Sequence, residues 1–313
     1  MATVTVTATD REGHTAQAVV TYTPVTGGGF PDASTTGCKQ STTVTHATGF
    51  TYDSRTAIAG HATAGTGTAS DPYVIERRLY GSDVRVRNCT GVWVKFRQCV
   101  FRGNPGNPTP SGSNYMWIED TGAFVTLEDC TLTTVGGPST NTTAGGVDHG
   151  FNSYVPFTLT RCDISMACIQ VYCEIERSEG SSLIQDCYLH HTWSASGDHT
   201  DIVNGNFHAS HVTVRHTTLD GVRTGGSVVT NGLGIYDDPS TSAGIITDWT
   251  IDRCLIKNCA TGLLASTSKT RFLDPFVVTN NTWVGPFTVT RSSCRVPSTQ
   301  SGNVDGSGQP VTI

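Results

Sequence analysis

A short pattern of apolar residues recurs along most of this chain and constrains its fold more than any other feature. In the first full copy, Val94 and Phe96 are followed by Cys99 and Phe101. Six later copies keep this spacing, with Cys, Thr or Asn at the third place: Val125-Leu127-Cys130-Leu132, Phe157-Leu159-Cys162-Ile164, Ser182-Ile184-Cys187-Leu189, Val212-Val214-Thr217-Leu219, Trp249-Ile251-Cys254-Ile256 and Phe276-Val278-Asn281-Trp283. A shorter copy, Val84-Val86-Cys89, precedes the first.

The spacing of the copies predicts which kind of solenoid the chain forms. The third place recurs at intervals of 31, 32, 25, 30, 37 and 27 residues, so the repeated part is short and its connections vary in length. Within each copy the apolar residues alternate, skip and resume, which is typical of a strand, a bend and a second strand. Units this small must stack to bury their apolar residues. We therefore predict an all-β fold, a right-handed parallel β-helix (a single-stranded solenoid).

The Cys, Thr or Asn of each copy is predicted to form a ladder inside this β-helix. Equivalent residues of successive coils lie about 4.8 Å apart, so a small residue at a bend stacks on its counterpart. The chain contains 11 cysteines, an odd number, and none has the Cys-x-x-Cys spacing. Buried unpaired thiols are therefore favoured over a disulfide framework or a zinc site.

Composition and charge narrow the range of partners. The net charge of −6 and the charged content of only 15% argue against nucleic acid as the main partner. No run of about 20 apolar residues is present, so the sequence predicts no membrane insertion. The first residues carry no basic segment followed by an apolar core, so no cleavable secretory signal is predicted.

Residues 1–24 form a separate segment in the sequence. Apolar and polar residues alternate on both sides of a turn at Asp10-Arg11-Glu12-Gly13, which predicts a β-hairpin. The hairpin resembles the last two strands of an immunoglobulin-like module. Because two isolated strands are marginally stable, we expect them to pair with another chain, another module or the end of the solenoid, as an immunoglobulin-like fragment or a docking segment. The predicted domains are thus 1–24, the N-terminal hairpin, and 25–313, the β-helix with a C-terminal closing segment.

One string near the start of the predicted β-helix is more specific than the repeats. Gly-Thr-Gly-Thr-Ala-Ser-Asp-Pro-Tyr-Val-Ile, from Gly65 to Ile75, resembles the start of the β-helical domains of the carbohydrate-binding and sugar-hydrolase group. The resemblance covers roughly residues 30–310. It implies a pectate-lyase-like β-helix and a role with glycans.

A second set of strand segments lies between the copies of the repeat. Its members are His149-Gly150-Phe151, Cys168-Ile169-Gln170, Asp201-Ile202-Val203, Gly234-Ile235-Tyr236 and Gly262-Leu263-Leu264. We expect these segments to stack on one face and to bring together the acidic and histidine residues near them: Asp148, His149, His190, His191, Asp198, His199, Asp201, Asp237 and Asp238.

Two stretches on this face resemble parts of known glycan-degrading enzymes. Gly197 to Asn204 resembles the His/Asn-Thr/Ser-Asp-Gly string of pectin-degrading β-helix proteins, with Ile202 in place of the glycine. The pair Asp237-Asp238 resembles the adjacent acids of polygalacturonase-like glycosidases, whose Gly-His-Gly and Arg-x-Lys are missing here. The resemblance implies candidate catalytic residues at His199, Asp201, Asp237 and Asp238.

The chemistry expected of these residues depends on the reaction. Glycoside hydrolysis requires two carboxyl groups roughly 5 to 9.5 Å apart, which Asp201 and Asp237 or Asp238 could supply. A lyase requires a base and often Ca²⁺, for which Asp148, Asp198 and Asp201 could provide oxygen ligands.

Two other interpretations of the same face stay open. Asp, Asn and His at bends often satisfy backbone groups without any further role. The face could also bind a glycan without turnover, through the candidate residues Asp148, His149, Asp198, Trp117, Trp193 and Tyr236.

The β-helix, the Thr- and Gly-rich composition and the immunoglobulin-like fragment together are similar to bacteriophage minor tail proteins and tail spikes, above all those of actinobacteriophages. The resemblance implies a place in the virion tail and host attachment through cell-envelope polysaccharide. It also implies contacts with other phage tail proteins and assembly as a homotrimer. The alternatives are a glycan-degrading hydrolase or lyase, and a purely structural tail component.

Overall fold

The chain forms two compact units, Met1–Phe30 and Pro31–Ile313. The computed structural model describes residues 2–9, 15–22, 29–46, 49–103, 114–134, 146–174, 180–193, 200–206, 208–223, 229–236, 246–265, 273–285 and 296–313.

The first unit contains one antiparallel strand pair. Strand β1 (Ala2–Thr9) pairs with β2 (Thr15–Tyr22), in a register that runs from Ala2↔Tyr22 to Thr9↔Thr15. The alternating apolar residues therefore do form the predicted hairpin. The turn predicted at residues 10–13 lies outside the described residues.

The second unit is built from three parallel sheets of eight, nine and ten strands. The ten-stranded sheet contains β3 (Val44–His46), β6 (Arg78–Tyr80), β9 (Val100–Gly103), β12 (Thr131–Thr134), β15 (Asp163–Ser165), β18 (Tyr188–Thr192), β21 (Thr218–Arg223), β24 (Leu255–Lys257), β27 (Thr282–Val284) and β29 (Val304–Asp305). The eight-stranded sheet contains β4 (Phe50–Tyr52), β7 (Val84–Val86), β10 (Asn114–Ile118), β13 (Val147–Ser153), β16 (Ala167–Cys173), β19 (Asp201–Asn206), β22 (Val229–Tyr236) and β25 (Cys259–Ala265). The nine-stranded sheet contains β5 (Tyr73–Glu76), β8 (Trp93–Arg97), β11 (Phe124–Glu128), β14 (Phe157–Thr160), β17 (Ser182–Gln185), β20 (Val212–Arg215), β23 (Trp249–Asp252), β26 (Phe276–Thr279) and β28 (Thr299–Ser301).

The chain visits the ten-, eight- and nine-stranded sheets in turn, and each visit to all three makes one coil. Strands pair in parallel with the equivalent strand of the next coil, as in Val94↔Val125↔Phe157. The predicted all-β parallel β-helix is therefore confirmed. The repeated sequence pattern spans the nine-stranded sheet, one corner and the ten-stranded sheet, and its apolar residues Val94, Phe96 and Phe101 are buried.

The corner after each strand of the nine-stranded sheet has a single left-handed residue. The residues with φ between +45° and +65° at this position are Arg77, Gln98, Asp129, Arg161, Asp186, His216, Arg253, Asn280 and Gly302. Left-handed backbone costs a non-glycine residue roughly 1–2 kcal/mol. The bend also lets the amide of this residue bond to the next coil, as in Gln98 N–H to Glu128 O at 3.0 Å.

The predicted ladder follows directly after this bend and satisfies backbone groups between coils. The Sγ of Cys130 donates to Phe96 O at 3.4 Å, in the preceding coil. The Nδ2 of Asn281 likewise donates to Ile251 O at 3.0 Å, and the Oδ1 of Asn281 accepts from Cys254 N–H at 2.8 Å. All ten cysteines in the described ranges are free, as predicted, and nine of them are buried. Cys294 lies outside the described residues.

The strand repeat begins one coil earlier, and the ladder ends one coil later, than the sequence pattern indicated. Val84 and Val86 pair with Met116 and Ile118 of the eight-stranded sheet, so Val84-Val86-Cys89 is not a short copy of the repeat. The true preceding copy contains Ile75 in β5, whose carbonyl accepts from Cys99 Sγ at 3.6 Å. A last copy places Asn303 on the ladder, with Nδ2 donating to Val278 O at 2.8 Å.

Short elements close the two ends of the solenoid. Helix α1 (Arg55–His61) begins at Ser54, whose Oγ accepts from Ala57 N–H at 3.1 Å, and it buries Ile58 against the first coil. At the other end Val304 bridges to Pro310, and Ile313 is buried.

Residues 31–43 form a strap that runs back along the outside of the corners. Gly37 N–H donates to Arg161 O at 2.8 Å, and Cys38 Sγ lies 3.2 Å from Gln98 O. Thr43 N–H then donates to Arg77 O at 2.8 Å, just before β3 begins. The strap therefore crosses several coils before the chain reaches the first one, which the sequence did not predict.

Candidate functional site

The second set of strand segments does lie in one sheet, the eight-stranded one. Its parallel register aligns His149 with Ile169, Asp201, Asn231 and Thr261 in successive coils. A second row contains Arg85, Trp117, Asn152, Tyr172, Asn204, Gly234 and Leu264. We call Trp117, Asn152, Tyr172, Asn204, Asp201, Asn231 and Tyr236 the polar face.

Asp201 is the centre of a hydrogen-bonded group on this face. It is 1% exposed, and its Oδ2 accepts from Asn204 Nδ2 at 2.6 Å. Its Oδ1 accepts from Asn231 Nδ2, also at 2.6 Å. The hydroxyl of Tyr236 lies 3.4 Å from both carboxylate oxygens. These contacts hold the carboxylate in one orientation across two adjacent coils.

Gly234 makes room for the contact between the Tyr236 hydroxyl and Asp201. In register Tyr236 lies opposite Asn206, two residues past the row that contains Asn204 and Gly234. A Cβ at Gly234 would lie only 2.6 Å from Tyr236 Cε2, so the tyrosine ring can fold back over the glycine. Its hydroxyl then accepts from Asn231 Nδ2 at 2.8 Å. A residue with a side chain at position 234 would block this arrangement.

Tyr172 connects the polar face to the next corner. Its hydroxyl donates to Glu174 Oε2 at 3.2 Å and accepts from Asn206 Nδ2 at 3.3 Å. Burial raises the pKa of Tyr172 far above its ordinary value, and the Glu174 carboxylate acts in the same direction. The phenol is therefore neutral and keeps its proton at any physiological pH.

Trp117 lies at the other end of the row. The Arg85 guanidinium lies 4.8 Å from the centre of its ring, a cation–π contact, and the Tyr154 ring is 6.4 Å away. The Nε1–H of Trp117 and the Oδ1 atoms of Asn152 and Asn204 are buried and have no hydrogen-bond partner in the described part of the chain. Buried polar atoms without a partner are rare, and each calls for an explanation.

Asp148 and His149 lie at the edge of this face. The Asp148 carboxylate is 3.6 Å from His149 Nδ1, and the His149 ring packs 4.7 Å from that of Tyr172. Burial lowers the pKa of His149, and the Asp148 carboxylate opposes this only in part. His149 is therefore a neutral imidazole at neutral pH, with a role in packing or hydrogen bonding.

The structure separates some of the other predicted residues from this face. Trp193 is only 6% exposed, and its ring packs against Gly146, where an added Cβ would lie 2.7 Å from the ring. It therefore offers little ring surface to a sugar. His190 and His191 belong to β18 in the ten-stranded sheet, which corrects their expected place. There His190 Nε2 lies 2.8 Å from Asp163 Oδ1, and its ring stacks on Tyr188.

Four of the predicted site residues lie outside the described residues: Asp198, His199, Asp237 and Asp238. Asp201 is thus the one catalytic candidate with described contacts, and these come from amides and a phenol. Within the described ranges no group of three or more His, Cys, Asp or Glu could hold a metal ion. The expected Ca²⁺ site stays a prediction, because Asp198 is one of its three proposed ligands.

Sequence reasoning missed most of the neutral residues of the polar face. Asn152, Tyr172, Asn204 and Asn231 carry neither a charge nor an indole ring, so neither of these two signals marks them in the sequence. Each occurs at a fixed offset within the second strand set, so an alignment of those strands by register would have brought them together.

Among the residues that the structure describes, no helix has the length and apolar character needed to cross a membrane. Comparison of the chain with protein-family models, with curated proteins and with solved structures gave no match.

Proposed function

We propose that the polar face binds a polysaccharide of the bacterial cell envelope, and that the chain is a glycan-recognising component of a phage tail. One observation carries the first part. Trp117 Nε1–H, Asn152 Oδ1 and Asn204 Oδ1, which have no hydrogen-bond partner among the described residues, lie in a single row of the eight-stranded sheet, among aromatic rings. A ligand rich in hydroxyl groups offers both donors and acceptors to such atoms.

The energetics favour an occupant of this kind. A buried polar atom left without a partner costs about 1–3 kcal/mol, which a hydroxyl of a bound ligand would offset. Asn152 and Asn204 are each 6% exposed, so their Oδ1 atoms are largely withdrawn from bulk water. Neutral amides and aromatic rings suit a carbohydrate better than they suit a strongly charged ligand.

The geometry favours a polymer over a single sugar. The row repeats once per coil, at a spacing of about 4.8 Å, along the length of the solenoid. A linear polymer that runs parallel to the solenoid would meet the same row in coil after coil. The closed ends of the β-helix, with Ile58 and Ile313 buried, leave its sides as the surface for recognition.

The role in a phage tail rests on the sequence resemblance and on the two-unit organisation. A hairpin of two strands is marginal by itself, which favours its docking onto another tail protein. A homotrimer is part of the same proposal. The rigid solenoid would then hold its polar face towards the host surface.

Incubation of the purified chain with polysaccharides extracted from actinobacterial envelopes tests the proposal. Binding is followed by co-sedimentation, and cleavage by new reducing ends or unsaturated sugars. Binding without cleavage supports a recognition protein. Cleavage that disappears in Asp201→Asn would instead favour the second candidate, a glycan-degrading enzyme. Absence of binding to every extract would rule out both.

A further inference from the structure

A groove lies on another side of the solenoid, along the edge at which the strands of the nine-stranded sheet begin. Its volume is about 490 Å³, and it is lined by Trp93, Phe124, Val125, Thr126, Pro156, Phe157, Thr158, Gly180 and Ser181. Volumes of this size are common among pockets for small ligands. None of the polar-face residues lines it.

Two aromatic rings form the groove's most distinctive feature. Trp93 and Phe124 are opposite each other in the register of β8 and β11, and both are half-buried. Their ring centroids are 4.5 Å apart with an interplanar angle of 20°, so the rings stack along the direction of the solenoid. The two rings cover each other's facing surfaces, so they present their edges to the groove from residues 31 positions apart.

The backbone keeps the two rings in place. Trp93 N–H donates to Gly67 O at 3.1 Å, and Phe124 N–H donates to Val92 O at 2.8 Å. Pro156 lies beside Phe124 on the next coil, because its chain neighbour Phe157 pairs with Val125. Gly180 has φ +108°, and a Cβ there would lie 3.1 Å from Pro156 Cγ, so a glycine is needed for the chain to pass this close.

The polar side chains of the groove are all neutral. They are the hydroxyl groups of Thr126, Thr158 and Ser181, which make no hydrogen bond to other described residues. Among the described residues, no Asp, Glu, Lys or Arg lines the groove. An aromatic surface bordered by free hydroxyls suits a ligand with one apolar face and a rim of hydroxyl groups.

We infer that the groove lined by Trp93, Phe124 and Pro156 is a second carbohydrate site, which packs an uncharged sugar ring against the edges of the Trp93 and Phe124 rings. The sugar's C–H face lies against these edges, and its hydroxyl groups bond to Thr126, Thr158 or Ser181. Because no charged side chain lines the groove within the described residues, we expect neutral sugars to bind better than uronic acids. This site does not depend on glycan binding by the polar face.

Fluorine NMR on protein labelled with 5-fluorotryptophan tests this inference. The signal of Trp93 is assigned by its loss in Trp93→Phe. The probes are linear neutral hexasaccharides of glucose, galactose and mannose, with hexagalacturonate as the charged comparison. We expect at least one neutral probe to shift the Trp93 signal in a saturable way while the signal of buried Trp283 stays unchanged. Hexagalacturonate should bind at least tenfold more weakly.

Substitutions separate this site from the polar face. Measured by calorimetry, Trp93→Ala and Phe124→Ala should each weaken binding of the neutral probe at least tenfold, whereas Phe124→Tyr and the exposed-site control Val296→Ala should retain it. Asn152→Leu and Asn204→Leu on the polar face should leave the shift of the Trp93 signal by the neutral probe unchanged. Thermal unfolding of each variant checks that the fold is intact.

Three outcomes would overturn the inference. One is a Trp93 signal that no neutral probe shifts. Another is an equal loss of binding in Asn204→Leu, which would locate the sugar on the polar face. The third is a fall in molar mass by light scattering in Trp93→Ala, which would mean that the groove is a contact between copies of the chain.

Discussion

Asn231 donates a hydrogen bond of 2.6 Å to Oδ1 of Asp201, from the neighbouring strand of the eight-stranded sheet. Asn204 donates to the other carboxylate oxygen at the same distance. A buried carboxylate is stable only when it is well hydrogen-bonded, and these two amides supply that requirement. The acid is therefore part of the sheet's structure as well as of its candidate binding face.

Asp201→Asn should destabilise the protein by about 1–3 kcal/mol, because the N–H₂ group of the new amide would face the N–H₂ donor of Asn204 or Asn231. Chemical denaturation measures the loss. Asp71→Asn is the matched control, since Asp71 is exposed and should change stability by less than about 0.5 kcal/mol. Equal stability of the two variants would mean that the contacts of Asp201 contribute nothing.

Asn281→Leu should reduce the free energy of unfolding by at least about 2 kcal/mol, because it leaves buried backbone groups of two coils without partners. The wild-type amide accepts from Cys254 N–H and donates to Ile251 O. Cys130→Ser should cost less than about 1 kcal/mol, since Thr217 already carries a hydroxyl at the same place on the ladder. If denaturation showed the two variants to be equally stable, the ladder would be a packing feature alone.

The stability of the protein should depend on Asp220 in a pH-dependent way. Burial raises the pKa of this carboxyl group. The hydrogen bonds from Asn258 (2.7 Å) and Lys257 (2.9 Å) lower the pKa by more than burial raises it, so it lies below its usual 3.8. A lowered pKa in the folded state means that the stabilisation is complete above the unfolded value of about 3.8. It is lost as the pH falls below that value through the folded pKa.

Asp220→Asn should therefore be less stable than wild type by an amount that shrinks as the pH falls below about 4. Urea titrations at a series of pH values measure this difference. Burial lowers the pKa of His191 and the Asp220 carboxylate raises it, so the comparison uses only pH values below about 5. A difference that stays constant down to pH 2.5 would contradict the lowered pKa.

Gly37→Ala should loosen the strap of residues 31–43. The φ of Gly37 is +78°, and a Cβ there would lie 2.6 Å from Thr131 Oγ1 and 2.9 Å from Asp163 Cβ. Gly91→Ala is a matched control, because its φ is +77° but nothing lies within 4 Å. Both variants should lose roughly 1–2 kcal/mol to backbone strain, and Gly37→Ala should lose more. Faster proteolysis within the strap in Gly37→Ala alone is the expected result, and equal rates would exclude the clash.

The repeat in the sequence was sufficient to predict the β-helix and the ladder. Val94, Phe96, Cys99 and Phe101 combine an alternation of two with a fixed skip, and a parallel coil with a one-residue bend produces this pattern. The strap was not predictable in the same way. Residues 31–43 follow no apolar period, and their contacts go to backbone atoms such as Arg161 O, which no side-chain pattern reveals.

The candidate site was predicted only in part. Asp201 was found through its charge and its resemblance to pectin-degrading proteins, and Trp117 through its ring. The neutral partners Asn204 and Asn231 carry no such signal, and they become visible only when strands of different coils are aligned. The folding back of Tyr236 over Gly234 depends on three-dimensional packing, which the sequence alone does not show.

The affinity of Asn152→Leu and Asn204→Leu for an envelope polysaccharide that the wild-type protein binds tests the central claim most directly. Each substitution removes a buried Oδ1 of the polar face and should weaken binding at least about tenfold. Thr213→Val, on the nine-stranded sheet, should leave the affinity unchanged. If both asparagine variants are folded and bind as tightly as wild type, the polar face is not the polysaccharide site.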